Sequence, residues 1–290
     1  MAADAAGRGA DDAREAVLTD LGLQVGAPDP AAAGEGRRRR DWAQLIADLH
    51  TLTEDTVEAL AALDRRDGDR PSACAGWTVT DVVTHLALGD QDAVRALRGE
   101  RWAPAGTDAD AEIDRRVRGH GRASLEEATA LWRQTRTSLL GELRRVDPAD
   151  RFQPVEWAVQ PISRLALAQS RAMETWIHGW DCSAAGGRRH VLDDRAYWVA
   201  DLGVRSLAYA IHRAGLPPTV SVSMSLGGPA GGQWQRNVGS GADPAAVEGE
   251  GWAWVALCSR RVAPGPLRPF LRTTGSAVAR SQLDTARAFV

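Results

Sequence analysis

Cysteine, long apolar stretches and strong net charge are all scarce in this 290-residue sequence. The three cysteines, Cys74, Cys182 and Cys258, are odd in number and widely spaced. That spacing fits a reducing compartment better than a disulfide scaffold. No apolar run approaches the roughly 18 residues that a membrane span needs, and the N-terminus lacks the apolar core of a signal peptide. These absences predict a cytoplasmic protein.

The net charge limits the classes of molecule that the protein is expected to bind. The formal net charge is -3, so no overall field attracts nucleic acid or an anionic membrane. We therefore expect neither a nucleic-acid nor a membrane partner, and the sequence leaves open whether the chain forms a homodimer. Three phenylalanines and two tyrosines stand against 11 tryptophans, so tryptophan is expected to fill much of the core.

Helical periodicity begins at residue 41. Residues 1–40 are rich in alanine, glycine, aspartate and arginine and end in four consecutive arginines, which predicts a low-complexity disordered tail with at most a local helix over 10–22. Residues 41–187 then carry apolar positions at helical spacing, interrupted by runs rich in glycine, proline and aspartate. This pattern predicts a four-helix bundle, with a loop between its second and third helices.

Capping residues mark where the bundle helices start. Thr78 with Asp81, and Ser124 with Glu127, have the spacing of a capping box at the starts of the second and third helices. The fourth helix is predicted to run from about residue 162 to about residue 182, where a glycine-containing stretch stops it.

The character of the chain changes after residue 187. Residues 192–215 predict one amphipathic helix, and "TVSVSMSL" and "QWQRNV" predict a β-hairpin around a glycine-rich turn. Helical segments follow in "GWAWVALCSRRV" and "SAVARSQLDTARAF", with a short strand in "LRPFLRT" between them. We therefore predict an α+β protein in which residues 188–290 form a small α+β domain after the bundle.

The predicted fourth helix carries polar residues on a side that its neighbours should bury. Glu174 and His178 lie four residues apart, hence on one face of the helix, and Arg171 and Asp181 extend the same stripe by three residues in each direction. Methionine, isoleucine and two tryptophans flank this stripe, which leaves little room for a solvated face. Buried carboxylate and imidazole groups need compensation, and a divalent cation would provide it.

His85 is the natural third ligand, because it lies in an apolar stretch of the second helix. By spacing alone, ordinary explanations remain open: a core histidine bonded to a carbonyl, an interhelical ion pair, or a chance E-x-x-x-H pair. The three cysteines are expected to be small buried residues without a catalytic role.

Two motifs together resemble a known family. "GWTVTDVVTHLALGD" (76–90) and "RAMETWIHGWD" (171–181) are similar to the mycothiol-dependent maleylpyruvate isomerase family, a branch of the DinB-like four-helix metalloproteins. "VEGEGWAWVALCSRR" (247–261) resembles the sterol-carrier-protein-like domain that often follows in that family. The resemblance implies a divalent metal, zinc in most members, held by His85, Glu174 and His178, with mycothiol as cosubstrate.

Further site residues follow from the resemblance and from the ligand stripe. Arg171 and Asp181, beside the ligands, and Arg261, in the region of a family arginine, are predicted as catalytic residues. The predicted thiol- and substrate-binding residues are Trp77, Asp90 and Arg260. Asp90 matches the family's H-L-A-x-x-D pattern, and Trp77 begins the ligand helix.

These predictions lead to one main function and two alternatives. The main hypothesis is a metal-dependent, mycothiol-using S-transferase, thiol-exchange enzyme or isomerase that acts on an electrophilic small molecule, with specialised metabolism as its setting. A zinc hydrolase with water in the open coordination position is the first alternative. The second is a non-catalytic DinB-like metal-binding module.

Overall fold

Long helices dominate the first two-thirds of the chain, and a small sheet lies in the last third. The computed structural model describes residues 12–26, 41–100, 109–120, 123–157, 160–216, 220–229, 231–239 and 241–288. The helices are α1 (residues 12–20), α2 (Trp42–Ala61), α3 (Arg65–Gly68), α4 (Val79–Leu97), α5 (Ala109–Gly119), α6 (Leu125–Arg145), α7 (Arg164–Ala185), α8 (Tyr197–Arg205), α9 (Leu207–Arg213), α10 (Gly251–Cys258), α11 (Pro264–Leu267) and α12 (Ala277–Leu283). The strands are β1 (Leu23–Val25), β2 (Pro154–Val155), β3 (Ile162–Ser163), β4 (His190–Leu192), β5 (Val220–Gly227), β6 (Gln233–Val238), β7 (Asp243–Glu250) and β8 (Leu271–Thr274). This arrangement confirms the predicted α+β class. None of the described helices is both long and apolar enough to cross a bilayer.

The four bundle helices, α2, α4, α6 and α7, begin where side chains cap them. The Thr78 hydroxyl accepts a hydrogen bond from the backbone N–H of Asp81 at 3.2 Å, and the Asp81 carboxylate accepts one from the backbone N–H of Thr78 at 2.8 Å. Ser124 and Glu127 repeat this box before α6, and Ser163 caps α7. Such caps satisfy N–H groups that the first helical turn leaves unbonded. The predicted starts of the second and third helices are confirmed.

Helix α5 lies where a loop was predicted between the second and third bundle helices. Its sequence, "ADAEIDRRVRG", is mostly charged, and Val117 is its fully buried apolar residue, so the apolar periodicity that marks the other helices is weak. Acidic residues in its first turn and arginines in its last turn favour the helix through its dipole.

Part of the predicted N-terminal tail is built into the fold. Strand β1 pairs in parallel with β4, with Leu23 opposite His190. Leu18 and Leu23 are buried, and the indole N–H of Trp180 donates to the Leu21 carbonyl at 2.9 Å. The prediction of a disordered tail is therefore wrong for residues 12–26. The rest of that tail, including the arginine run, lies outside the described residues.

The C-terminal sheet has the strand order β6-β5-β7-β8. Strands β5 and β6 form the predicted hairpin, with Leu226 opposite Trp234, which confirms that prediction. Strand β7 was missed, although it lies inside the sheet and runs parallel to β5. Its sequence "DPAAVEGE" contains proline, glycine and three acidic residues, and only Ala245 and Val247 are buried, so it lacks the usual signature of a strand. The helix predicted over 192–215 is interrupted at Ser206, between α8 and α9.

One apolar core joins the bundle to the C-terminal part. A single cluster of buried residues runs from Leu45 of α2 through Trp176 of α7 to Trp198 of α8 and Trp254 of α10. Every residue of α10 is buried, as expected for a helix that is apolar on all sides. The C-terminal part therefore packs against the back of α7, the helix that carries two of the three predicted ligands.

Candidate metal centre

The three predicted metal ligands meet between α4 and α7. The Nε2 atoms of His85 and His178 lie 3.4 Å and 3.0 Å from the same oxygen of Glu174, Oε2. One possible ligand atom from each residue lies within 4.8 Å of the others. Two imidazoles and a carboxylate are the donors that zinc prefers, and a set of three leaves a coordination position open. This donor set fits a single divalent cation.

Burial and hydrogen bonding set the charge states of Glu174 and His85. Burial would raise the pKa of Glu174, but hydrogen bonds with His178 and His85 outweigh it and hold that pKa well below its ordinary value. Burial lowers the pKa of His85 and keeps the imidazole neutral, although the Glu174 carboxylate opposes this effect. An ionised carboxylate and a neutral imidazole are therefore present without any added base.

Asp181 orients His178 from behind. Its Oδ2 atom lies 2.9 Å from Nδ1 of His178, on the far side of the ring from Glu174. Burial would raise the pKa of Asp181, but His178 and Arg261 lower it, so the carboxylate is ionised and accepts from an Nδ1–H. Burial opposes the charge of His178, but hydrogen bonds with Asp181 and Glu174 raise its pKa, so a cation binding at Nε2 would displace a proton there while Asp181 keeps the Nδ1–H in place, as is usual for a metal-ligating histidine.

Arg261 reaches this centre from the turn after α10. Its Nε and Nη2 atoms donate to Oδ1 and Oδ2 of Asp181 at 2.9 Å and 2.5 Å. The fork of the guanidinium matches both carboxylate oxygens, so the pair is strong and its geometry is fixed. The structure thus brings Arg261 to the site, where it acts on His178 through Asp181.

Cys74 lies beside the same groups and was missed by the sequence prediction. Its sulfur is 3.9 Å from Nη2 of Arg261, and Cys74, His178 and Asp181 form a second group with ligand atoms within 4.8 Å of one another. The Arg261 guanidinium already supplies positive charge at this second group, which makes it a poor cation site. Burial and the Asp181 charge raise the pKa of Cys74 to about 11, so it is a protonated thiol.

Trp77, predicted as a thiol- and substrate-binding residue, packs beside His85 and forms one wall of the candidate site. Its ring lies 5.1 Å from the His85 ring between centroids, and its indole N–H donates to Asp114 of α5 at 2.9 Å. The second oxygen of Asp114 accepts from Arg118 at 2.7 Å. Helix α5, absent from the sequence prediction, therefore holds the wall in place.

Two predicted substrate-binding residues lie elsewhere. Asp90 is completely buried and accepts hydrogen bonds from Nε of Arg136 at 2.8 Å and from the indole of Trp132 at 3.1 Å. Arg260 is exposed and donates to the backbone carbonyl of Asp284 at 3.5 Å. The structure therefore brings neither side chain to the three candidate ligands, because the Asp90 carboxylate is engaged inside the bundle and the Arg260 side chain lies at the surface.

Arg136 is a further residue that the sequence prediction missed. It is buried, and besides Asp90 it donates to the hydroxyls of Thr53 at 2.6 Å and Thr175 at 2.9 Å. It thereby joins all four bundle helices directly beneath the site. A signal was present, since Arg136 follows Trp132 by four residues on the apolar stripe of α6.

Arg171 lies on the ligand stripe, as predicted, and its side chain is buried. Its Nε is 3.4 Å from Oδ1 of Asp90. Its guanidinium lies against Gly89, where an added Cβ would come within 2.3 Å of Nη1. The structure therefore places Arg171 between α4 and α7, one helical turn before Glu174.

Comparisons with known proteins identify the family of this chain. Residues 49–183 match the family model described as the mycothiol maleylpyruvate isomerase N-terminal domain. Two uncharacterised proteins of Mycobacterium tuberculosis, one from each of two strains, are 31% identical over 217 residues, which is 70% of this chain and 83% of theirs. The fold is similar to crystal structures of mycothiol-dependent maleylpyruvate isomerase and of a mutant of it, with a TM-score of 0.56, 15% and 14% identity, and coverage of 80% of this chain and 92% of theirs. The chain belongs to the mycothiol-dependent maleylpyruvate isomerase family.

Proposed function

We propose that this protein is a metal-dependent enzyme that uses mycothiol to attack an electrophilic small molecule, as an S-transferase, a thiol-exchange enzyme or an isomerase. The convergence of His85, Glu174 and His178 on one point is the observation that carries the proposal. The family match supports mycothiol as the thiol, and the donor set supports zinc as the metal.

The bound cation would supply one thing, a lowered pKa for a thiol entering the open position. The protein's own residues do the rest. Asp181, clamped by Arg261, holds the His178 ring so that Nε2 faces the centre. Trp77 packs against the His85 ring and restricts its movement. A rigid, partly dry site of this kind favours attack by a thiol over attack by water.

S-transfer, thiol exchange and isomerisation all begin with the formation of the same bond. The thiol sulfur bonds to the electrophilic carbon and the thiol proton leaves. In an isomerase the sulfur adds to a conjugated double bond, the resulting single bond rotates, and loss of the sulfur restores both the double bond and the thiol. In a transferase or an exchange enzyme the new bond to sulfur is kept, and another group leaves instead.

The chemistry needs a compartment in which thiols stay reduced. Cys74, Cys182 and Cys258 are all free thiols, which supports the predicted cytoplasmic location. The substrate is then a small electrophile that meets mycothiol in the same compartment. Homodimer formation stays a prediction.

The test is incubation of the zinc-loaded protein with mycothiol and a panel of electrophiles, read by mass spectrometry for thiol adducts and for isomerised products. His85→Ala should lose bound zinc and all turnover. His50→Ala is the matched control, because His50 is an exposed histidine paired with Glu54 on α2, and it should behave as the wild type.

Other outcomes separate the alternatives. Turnover of an ester or amide that is independent of mycothiol would identify a zinc hydrolase. Stoichiometric zinc with no turnover of any electrophile would favour a binding module. Zinc content unchanged by His85→Ala would refute the site itself.

A further inference from the structure

Arg171 is a buried cation whose hydrogen-bonding capacity is largely unused. Only 3% of the residue is exposed, and its Nε and Nη2 atoms have no hydrogen-bond partner within the described part of the chain. The nearest carboxylate oxygen, Oδ1 of Asp90, is 3.4 Å away and already accepts from Arg136 at 3.2 Å. Buried donors of a charged group are costly to leave unpaired, so this guanidinium calls for an explanation.

The guanidinium lies beneath the candidate metal ligands. Arg171 precedes Glu174 by three residues on α7, and Gly89, which its guanidinium contacts, follows His85 by four residues on α4. Both spacings correspond to about one helical turn on the same face, roughly 5 Å along each axis. Glycine at position 89 leaves the space that the guanidinium fills.

The three carboxylates of this region are already engaged by other groups. Asp90 is the carboxylate between two buried guanidinium groups, those of Arg136 and Arg171. Glu174 is engaged by His85 and His178, and Asp181 is engaged by His178 and Arg261. The three guanidinium groups and three carboxylates balance in formal charge, but in the described chain Arg171 shares Asp90 with Arg136 and makes no hydrogen bond to it.

We propose that Arg171 binds an anionic group, a carboxylate in particular, on the molecule that occupies the metal centre, and so selects anionic ligands for this enzyme. This inference rests on the proposed function. The planar guanidinium of Arg171 can donate two parallel hydrogen bonds to a carboxylate. Its Nε and Nη2 atoms, which have no hydrogen-bond partner in the described chain, are the donors that would make them.

The experiment compares two thiols with the same three-carbon chain, one ending in a carboxylate and the other in a neutral hydroxyl group. 3-Mercaptopropionate and 3-mercaptopropan-1-ol are titrated calorimetrically into the zinc-loaded wild type and variants, and the ratio of their Kd values is taken within each protein. Because both Kd values in a ratio come from the same protein, a smaller folded fraction in a variant affects both equally and cancels. Removing a charge-assisted hydrogen bond should reduce the wild-type preference for the carboxylate by about tenfold or more in Arg171→Gln.

Two further variants and one control sharpen the comparison. Arg171→Lys should keep part of the preference, because the charge remains while the fork is lost. Gly89→Ala should lose the preference although the arginine is present, because the new methyl group displaces the guanidinium. Arg133→Gln, an exposed arginine on α6, should keep the wild-type ratio.

A direct arm follows Arg171 without any thiol. Sodium acetate is titrated into ¹⁵N-labelled protein with and without zinc, and the Arg171 Nε–H resonance is assigned by its loss in Arg171→Gln. A saturable shift of this resonance supports the proposal and shows that a free carboxylate suffices. No shift, together with equal thiol ratios in wild type and Arg171→Gln, would overturn it. If zinc or thiols fail to bind, the proposed function falls, while the acetate titration still decides the role of Arg171.

Discussion

Replacing Asp181 by asparagine tests whether this side chain prepares His178 for a metal. In the wild type, Oδ2 of Asp181 accepts from Nδ1 of His178 and from Nη2 of Arg261, and Oδ1 accepts from Nε of Arg261. An amide offers one oxygen and one NH₂ group in the same volume. Whichever way the amide is turned, its NH₂ group meets at least one donor.

The expected loss of zinc affinity in Asp181→Asn follows from the change in the tautomer of His178. If the NH₂ group faces the ring, Nδ1 becomes the acceptor, Nε2 carries the hydrogen, and the lone pair toward Glu174 is lost. If the oxygen faces the ring, the tautomer survives but the carboxylate charge that strengthens the ligand is gone. Loss of such a supporting group lowers metal affinity by about 10- to 100-fold, which is about 1.4 to 2.7 kcal/mol.

The assay is competition for zinc against a chromophoric chelator at pH 7.5, with urea unfolding as a check on the fold. Asp92→Asn is the matched control, since Asp92 is a buried carboxylate of α4 that pairs with Arg116 and contacts no histidine in the described structure. It should lose stability but keep zinc affinity. Unchanged affinity in Asp181→Asn, or an equal loss in Asp92→Asn, would refute the role assigned to Asp181.

Other predictions concern stability. Burial lowers the pKa of His190 from 6.5 to about 4, so the unfolded chain binds the proton more tightly. Its contribution to the free energy of unfolding is therefore unaffected above pH 6.5 and becomes unfavourable by up to about 3 kcal/mol as the pH falls to 4, a loss that urea titrations of His190→Leu should not show. Asp90→Asn breaks a fully buried ion pair and should cost about 3 kcal/mol, whereas Glu142→Gln breaks an exposed pair and should cost under about 1 kcal/mol in the same assay. Arg260 has a φ of 58°, so Arg260→Gly should unfold at the wild-type temperature or above it, and Arg260→Val should cost about 1 to 2 kcal/mol.

The candidate metal ligands could be predicted from the sequence because local rules govern their positions. Glu174 and His178 share a face by helical spacing alone, and apolar neighbours on every side indicated burial. His85 could be added because a histidine in an apolar stretch needs a partner. The predicted bundle packs its second and fourth helices together, so the polar residues of these two helices were expected to meet. In the structure the side chains of His85, Glu174 and His178 meet at one point, as their spacing suggested.

The errors fall where distant packing decides. Asp90 lies on the same helix as His85, but its partner Arg136 comes from α6, and that pairing is invisible in a local pattern. The choice between Arg260 and Arg261 depends on one left-handed residue, which turns the first side chain to the surface and the second toward Asp181. Strand β7 is formed by its place inside the sheet and not by its own propensity.

The pairing of β1 with β4 sets an order of events during protein synthesis. Leu23 and His190 pair directly but lie about 170 positions apart along the chain. At ordinary rates of translation, roughly 10 to 30 seconds pass between their emergence from the ribosome. During that time Leu23 cannot pair with His190, so β1 reaches its final place only after α7 and β4 have left the ribosome.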